Sequence, residues 1–532
     1  MRQVNIMTNP FKGMKLPVLA GALVLAAVVT LAVLIYPRLR VSPEVAAPPY
    51  WPTQGWQSVT PEGQGFDSAK LANALLTIRE KNIRVHSLLL IRNGYAFVDA
   101  TFYPYDGTAA HDVASVTKSV TTTLIGIAAD QGKLQLDQPM VSFFPDRPIA
   151  HRDARKGRIT VRHLTNMSSG LDCTPERDEA TLKEMWTAAD WVQFVLDRPV
   201  KWEPGSQFVY CSPGSHLLSA ILQQATGMTA LEFARQSLFA PLGIRDVIWP
   251  ADPQGVTRGW GDIRLLPRDM AKIGFLWRNG GAWDGRQIVS SGWVAGSVKP
   301  HINTGEDEHY GYGWWVDTAK EQGEFSSYRA DGRGGQYVIV VPSLDLIIVT
   351  TGGGFDIDEI APLLVHAIGD MRKPLPANPA GVAALEAAVT AVAQAPHPSP
   401  VPPLPPMARV VSGKTFVFGP NPLGMKAVRF EFNDSATATG YLTFADSTQP
   451  QRWPIGLDGV YRMSKGEYGA PLGLRGYWAD AQTLVFEYAG ITSNDHFTFR
   501  MRFAGDRVAV EAQETAHELG VRFEGRLQRP NR

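Results

Sequence analysis

Two apolar strand pairs sit at opposite ends of one long region, and the stretch between them reads mainly as helix. Ser87-Leu88-Leu89-Leu90-Ile91 and Tyr95-Ala96-Phe97-Val98 flank Asn93-Gly94, a dipeptide suited to a tight hairpin turn. Far along the chain, Tyr337-Val338-Ile339-Val340-Val341 and Leu346-Ile347-Ile348-Val349-Thr350 flank Pro342-Ser343-Leu344-Asp345. From Ser115 to about Arg278 the pattern is helical, broken by Gly and Pro. Strands distant in sequence must then meet in one sheet, with a helical subdomain inserted between them. The expected class is α/β in the α+β sense: an antiparallel sheet flanked by helices, with an all-helical insertion.

The chain has 532 residues, too many for one ordinary core. The sheet-bearing domain is expected over 58–373, opened by a helix from Phe66-Asp67 to Lys81 and closed by one from Asp356 to Met371. A Pro/Ala-rich linker over 374–407 holds one short helical stretch, Gly381 to Ala395. Over 408–532, Val428–Phe432, Tyr441–Phe444, Leu484–Tyr488 and Phe497–Phe503 alternate with turn residues, which predicts a small antiparallel β barrel or sandwich. Lys+Arg and Asp+Glu both total 51, which removes the usual electrostatic reason to invoke nucleic acid.

Residues 1–40 read as a cytoplasmic stub and an N-terminal membrane anchor or signal, followed by a Pro-rich tether over 41–57. Leu16 to Tyr36 is charge-free, about 21 residues, and long enough to span a bilayer as a helix. A cleaved signal peptide is the alternative, but the run exceeds a typical apolar core and no small-x-small site closes it cleanly. The rest of the chain is then expected outside the cytoplasm. There Cys173 and Cys211 either form one disulfide or stand as two buried thiols.

Ser115-Val116-Thr117-Lys118 opens an apolar helical run. Residues i and i+3 share a helix face, so the amine can reach the hydroxyl. A hydroxyl needs such a base to become nucleophilic, and the first helical turn favours developing negative charge. Taken alone, the pair also fits a solvated helix face. Three further segments add to it. Tyr210-Cys211-Ser212 precedes an amphipathic helix, and a tyrosine near two cations loses its proton more easily. Gly332-Arg333-Gly334-Gly335-Gln336 opens the late strand pair, with glycines that admit close backbone approach and a cation that can hold an anion or pair with Asp331. His163 to Leu171 forms a loop between helical segments. The aromatic run Tyr310-Gly311-Tyr312-Gly313-Trp314-Trp315 suits either a cleft wall or core packing.

In order and spacing these motifs resemble the penicillin-recognising serine hydrolases, in the class C β-lactamase-related branch. That branch also holds D-alanyl-D-alanine carboxypeptidases, esterases and 6-aminohexanoate-dimer hydrolases, and the last group looks most similar because Gly-Gly-Gln replaces the usual strand triad. The resemblance implies a β-lactamase/transpeptidase-like fold and an acyl-enzyme on Ser115. Lys118 would hold the proton relay, and Tyr210 would act as base and then donate to the leaving group. Ser212 would orient Lys118 or substrate. Arg333, Gly334, Gly335 and Gln336 would bind substrate, with the N–H groups of Ser115 and Gln336 as oxyanion donors. Such chemistry calls for no metal and no cofactor. The implied partner is a small amide or ester, cell-wall derived among the options. The implied location is a bacterial inner membrane, single-pass, with the catalytic domain periplasmic or extracellular. Arg333 stands where the family commonly has Lys or His, which weakens a β-lactamase reading. A D-alanyl-D-alanine carboxypeptidase, a weak β-lactamase or a non-turnover penicillin-binding sensor are the alternatives.

Overall fold

A computed structural model describes residues 48, 50–173, 179–305, 308–318, 326–433, 436–445, 447, 449–515 and 520–529. The first domain is built on an eight-stranded antiparallel sheet. In chain order its strands are β1 (Val85–Arg92), β2 (Tyr95–Thr101), β3 (Ile302–Asn303), β4 (His309–Tyr310), β5 (Trp315–Asp317), β6 (Ser327–Gly332), β7 (Gln336–Val341) and β8 (Leu346–Gly352). The spatial order is β2-β1-β8-β7-β6-β5-β4-β3, so the early hairpin pairs directly with the last strand. This is the sequence-distant sheet that the two apolar hairpins require.

The central strands have no solvent face. Alternate residues of a strand point to opposite sides. Leu89 and Ile91 of β1 therefore enter one core with Val338, Val340, Ile347 and Val349. Leu88 and Leu90 enter a second core with Ile339, Val341 and Leu346. Both faces being covered explains why these strands read as unbroken apolar runs.

Helices supply the two covers. On one face lie α1 (Ser68–Glu80) and, from the far end of the domain, α5 (Pro379–Ala393). Asp67 caps α1 by accepting from the Lys70 N–H. On the other face lie α2 (Val116–Asp130), α3 (Ser212–Thr226) and α4 (Pro267–Arg278). Gly274 lets α4 settle on the sheet, since a Cβ there would stand 2.8 Å from Val338 Cγ1. Helix α2 is buried almost end to end. Its hydroxyls are consequently spent on backbone carbonyls: Ser119 donates to Gly313, Thr121 to Gly259 and Thr122 to Tyr312. The closing helix is shorter than the Asp356–Met371 pattern suggests: a 3-10 turn at Ile357–Glu359 precedes a helix limited to Ala361–His366.

Two segments expected to be free connections are docked instead. The end of the tether carries Trp51 and Trp56, whose rings pack on Phe275 of α4, and Trp56 Nε1 donates to the Arg268 carbonyl at 3.0 Å. Two indoles have too much apolar surface to leave in water. Within the expected linker, α5 buries Leu385, Ala388 and Val392 against the α1 layer and so completes the first domain. The run Leu16–Tyr36 lies outside the described residues. Among those described, no helix is long and apolar enough to cross a membrane.

The second domain contains β9 (Thr415–Phe418), β10 (Met425–Glu431), β11 (Thr437–Phe444), β12 (Gln451–Gly456), β13 (Arg462–Lys465), β14 (Pro471–Trp478), β15 (Thr483–Gly490), β16 (His496–Ala504), β17 (Arg507–Glu514) and β18 (Gly520–Leu527). The order is β12-β11-β10-β9-β18-β17-β16-β15-β14-β13. A parallel pairing of Gly456 with Arg475 closes nine of these strands into a barrel. Inward residues such as Phe416, Phe430, Phe486, Met501 and Phe503 fill it. Of the two architectures compatible with the sequence, the barrel is the one formed.

Gly126 offers a test of how tightly α2 is held. A Cβ there would come within 2.4 Å of the Trp293 ring. Gly to Ala inside a helix ordinarily stabilises by about 1 kcal/mol. Overpacking a closed core costs about 1–3 kcal/mol. We expect Gly126→Ala to lower the urea midpoint at unchanged slope; a raised midpoint would show that the contact yields easily.

Candidate active site

Ser115 occupies the N-cap position of α2, with φ −72° and ψ −6°. The residue before it, Ala114, has φ +46°, and the Asp112 carboxylate accepts from the Ala114 N–H at 2.8 Å. That turn presents a half-buried Ser115 at the domain surface. One turn on, Lys118 is only 2% exposed. Its Nζ contacts Ser115 Oγ at 2.7 Å and donates to the Trp260 carbonyl at 2.9 Å. Burial is the main effect on this amine. Glu179 and Asp262 partly offset it and Arg333 adds to it, leaving the group pushed down to about 8.

The remaining sequence-derived residues divide. Tyr210 comes to the pair: its ring lies under Lys118 Nζ at 4.8 Å, its hydroxyl hydrogen-bonds with Ser115, and Trp315 stacks on it at 6.1 Å and 22°. The expected ease of ionisation is absent. Burial, first, and Glu179, second, hold the phenol well above its ordinary value, against the smaller effect of the Ser115 hydrogen bond. Ser212 does not reach Lys118; its hydroxyl donates to Glu179. Arg333 is exposed and makes no ion pair among the described residues, because Asp331 is engaged by Arg329 at 3.3 Å. Gly334 and Gly335 both have positive φ, +86° and +97°, so the turn needs them as glycine.

Gln336 faces Gly332 across the β6–β7 pair. It is fully buried, and its side-chain amide ties β7 to Gly352, donating at 2.7 Å and accepting at 3.0 Å. The backbone that approaches the nucleophile belongs to β6: a Cβ on Gly332 would lie 3.2 Å from the Ser115 nitrogen and 2.4 Å from the Val113 carbonyl. The Gln336 side chain thus holds the sheet beneath the site, and Gly332 is the glycine of the motif whose backbone comes closest to the nucleophile's own.

Cys173 and Cys211 are joined in a disulfide with Cα atoms 5.6 Å apart. The bond fixes the Tyr210–Ser212 segment from one side. The segment expected as a loop from His163 to Leu171 begins inside a short helix, Val161–Thr165, and the turn after it fixes the other side, where the Met167 carbonyl accepts from the Val209 N–H at 2.8 Å. The aromatic run splits by role. Trp314 is core, edge-on to Tyr328, whereas Trp315 is half-buried against Tyr210. Glu179, the Trp260 carbonyl and Asn494, whose Nδ2 donates to the Arg333 carbonyl at 2.7 Å, had no local signal in the sequence.

Comparison with known proteins matches residues 70–355, more than half of the chain, to the Beta-lactamase family model. The chain belongs to the β-lactamase family. It is thereby placed among the serine hydrolases of the β-lactamase fold. It is similar to the 6-aminohexanoate-dimer hydrolase of Paenarthrobacter ureafaciens, at 26% identity over 271 residues, covering 47% of this chain and 67% of that protein. It is also similar to penicillin-binding protein 4* of Bacillus subtilis (strain 168), 21% over 285 residues, covering 45% and 60%. Esterase EstB of Burkholderia gladioli matches at 24% over 213 residues, covering 36% and 54%. The match thus spans between about half and two thirds of each relative's own length. A solved structure of a candidate 6-aminohexanoate-dimer hydrolase from Bacillus anthracis superposes with TM-score 0.51 at 18% identity, covering 64% of this chain and 91% of that one. At that identity the likeness is one of fold.

The disulfide gives a second prediction. It closes a loop of 38 residues, and such a crosslink stabilises by about 2–4 kcal/mol. Cys173→Ala/Cys211→Ala should lower stability by that order in urea unfolding, and reductant should do the same to the parent. Equal midpoints with and without the bond would contradict the clamp.

Proposed function

We propose that the protein cleaves an amide or ester through a covalent acyl-enzyme on Ser115. The observation that carries this reading is the 2.7 Å contact between Ser115 Oγ and a buried amine pushed down to about 8. An amine near that value is partly free base at neutral pH and can take the hydroxyl proton. As Oγ bonds to the carbonyl carbon, the proton passes to Lys118. Charge on the carbonyl oxygen is met by the Ser115 N–H and by a backbone N–H of the turn that follows Gly332. Preorganised donors of this kind contribute about 3 kcal/mol each.

Tyr210 serves as the donor in this account. Its phenol stays protonated because burial disfavours the phenolate. It gives its proton to the departing nitrogen or oxygen and regains one from the Lys118 ammonium beside its ring. Water then attacks the acyl carbon, its proton moving back through the same pair, and Ser115 is released. Arg333, exposed and with no ion pair among the described residues, suits a substrate that ends in a carboxylate. Both a linear amino-acid oligoamide and a D-alanyl-terminated peptide meet that condition. The relative named as a dimer hydrolase favours the first. The disulfide and the run Leu16–Tyr36 support a catalytic domain outside the cytoplasm, anchored at a membrane.

The test is intact-mass analysis with a fluorophosphonate, alongside turnover of a 6-aminohexanoate linear dimer, a D-alanyl-D-alanine peptide, a cephalosporin and a nitrophenyl ester. One adduct should form on Ser115, and the linear amide should turn over. Ser115→Ala should abolish labelling and reduce turnover on the order of 10^4-fold or more. Tyr210→Phe should reduce turnover by about 10^2–10^4-fold, more for amides than for nitrophenyl esters, whose leaving group needs no proton. Full turnover by Ser115→Ala would remove the proposal.

A further inference from the structure

A cavity of about 530 Å³ lies where the first domain meets the barrel, away from Ser115. Its wall carries three guanidinium groups, Arg79, Arg84 and Arg475, and one carboxylate, Glu487. That carboxylate is already spent. Arg475 holds it through Nε at 3.1 Å and Nη2 at 3.0 Å. The Tyr461 hydroxyl donates to it at 2.7 Å, and His496 Nε2 lies 3.3 Å away. Among the described residues, Arg84 donates to the Thr515 hydroxyl, at 2.6 Å, and Arg79 to the Ala391 carbonyl. Neither makes an ion pair among the described residues. Burial pulls Arg84 below its ordinary value; Glu487 and Tyr461 partly offset that from a distance, and Arg475 adds to it. Two positive charges therefore face one cavity with no ion pair of their own among the described residues, the carboxylate on the wall being held by Arg475.

The rest of the wall sets the shape of what could enter. Ile83, Val85, Phe102, Val392 and Ile491 are apolar, and Tyr103 presents a phenol. Guanidinium forks match a carboxylate, while an apolar lining rewards a hydrocarbon body. A bare inorganic anion would satisfy the first half of the wall and waste the second. We propose that this cavity is a second binding site, for a small organic carboxylate with a hydrocarbon chain. The site is separate from the catalytic cleft, although one loop serves both. Gly490 and Ile491 line the cavity, whereas Thr492 accepts from the Asp112 N–H at 2.8 Å and Asn494 donates to the Arg333 carbonyl. A carboxylate probe has two places to choose between, Arg84 and Arg79 in the cavity and Arg333 near Ser115, and the test must tell them apart.

The experiment is calorimetric titration of the full chain with hexanoate, hexan-1-ol and inorganic phosphate. Hexanoate should bind saturably at one site, with both other probes at least about tenfold weaker. Arg84→Gln should weaken hexanoate by about tenfold or more, and Arg333→Ala should leave it unchanged. Gln394→Trp supplies an independent check, since Gln394 is exposed at the edge of the same cavity and a bulky ring there obstructs it without touching the core. It too should abolish binding, whether or not Arg84→Gln folds. Loss of binding in Arg333→Ala with Gln394→Trp unaffected would move the carboxylate to the cleft and overturn the proposal. So would phosphate binding as tightly as hexanoate, or no saturable binding up to roughly 10 mM.

Discussion

A lysine side chain taken out of water is the constraint around which the first domain is arranged. Removing an ammonium from solvent is costly unless it is paired or gives up its proton. Here the amine of Lys118 rests between one hydroxyl and one carbonyl, with the carboxylates acting only from a distance. The compromise is a group that is easily deprotonated. Keeping it so requires α2 to be wrapped on every side, which is why that helix carries hydroxyls that all close onto neighbouring backbone rather than onto water.

The two-core design of the sheet serves the same end. One face buries α2 and its partners, and the other is sealed by helices from the two extremities of the domain, α1 and α5. The turn after Gly332 can then press on the nucleophile from a strand that has little freedom to move, with Gln336 locking the adjacent strand to Gly352. The barrel is a further wall and not an appended module. Its 490–495 loop touches the backbone at Asp112 and the turn at Arg333. Substrate choice and barrel position are coupled through that loop in this account.

Much of this was legible in the sequence, for reasons that are local. The hairpins announce themselves through Asn93-Gly94 and through β-branched runs. Ser115 and Lys118 announce themselves through a spacing that one helical turn enforces. The barrel shows in its alternation. What could not be read depends on distant chain segments meeting. Glu179 has no motif around it, and neither does Trp260, which contributes only a carbonyl. Gln336 reads as a backbone donor because it stands in a Gly-rich turn; that strand alternation sends its side chain into the sheet, onto Gly352, is what the motif does not show. Tyr210 was expected to ionise readily on the strength of nearby cations, but desolvation outweighs them once the ring is enclosed. The Pro-rich stretches misled in another way. Composition marks them as connectors, and it does not show that Trp51, Trp56 and Leu385 find apolar partners.

The most direct test of the central claim is the pH dependence of fluorophosphonate labelling at Ser115, a single acylation-like event with no product release to obscure it. Only the unprotonated amine can accept the serine proton, and burial lowers the pH at which it becomes available. The labelling rate constant is therefore predicted to climb with pH and level off above a midpoint near 8, the value to which Lys118 is pushed. A midpoint close to the ordinary lysine value of about 10.4, or a rate that is flat across that range, would contradict the account.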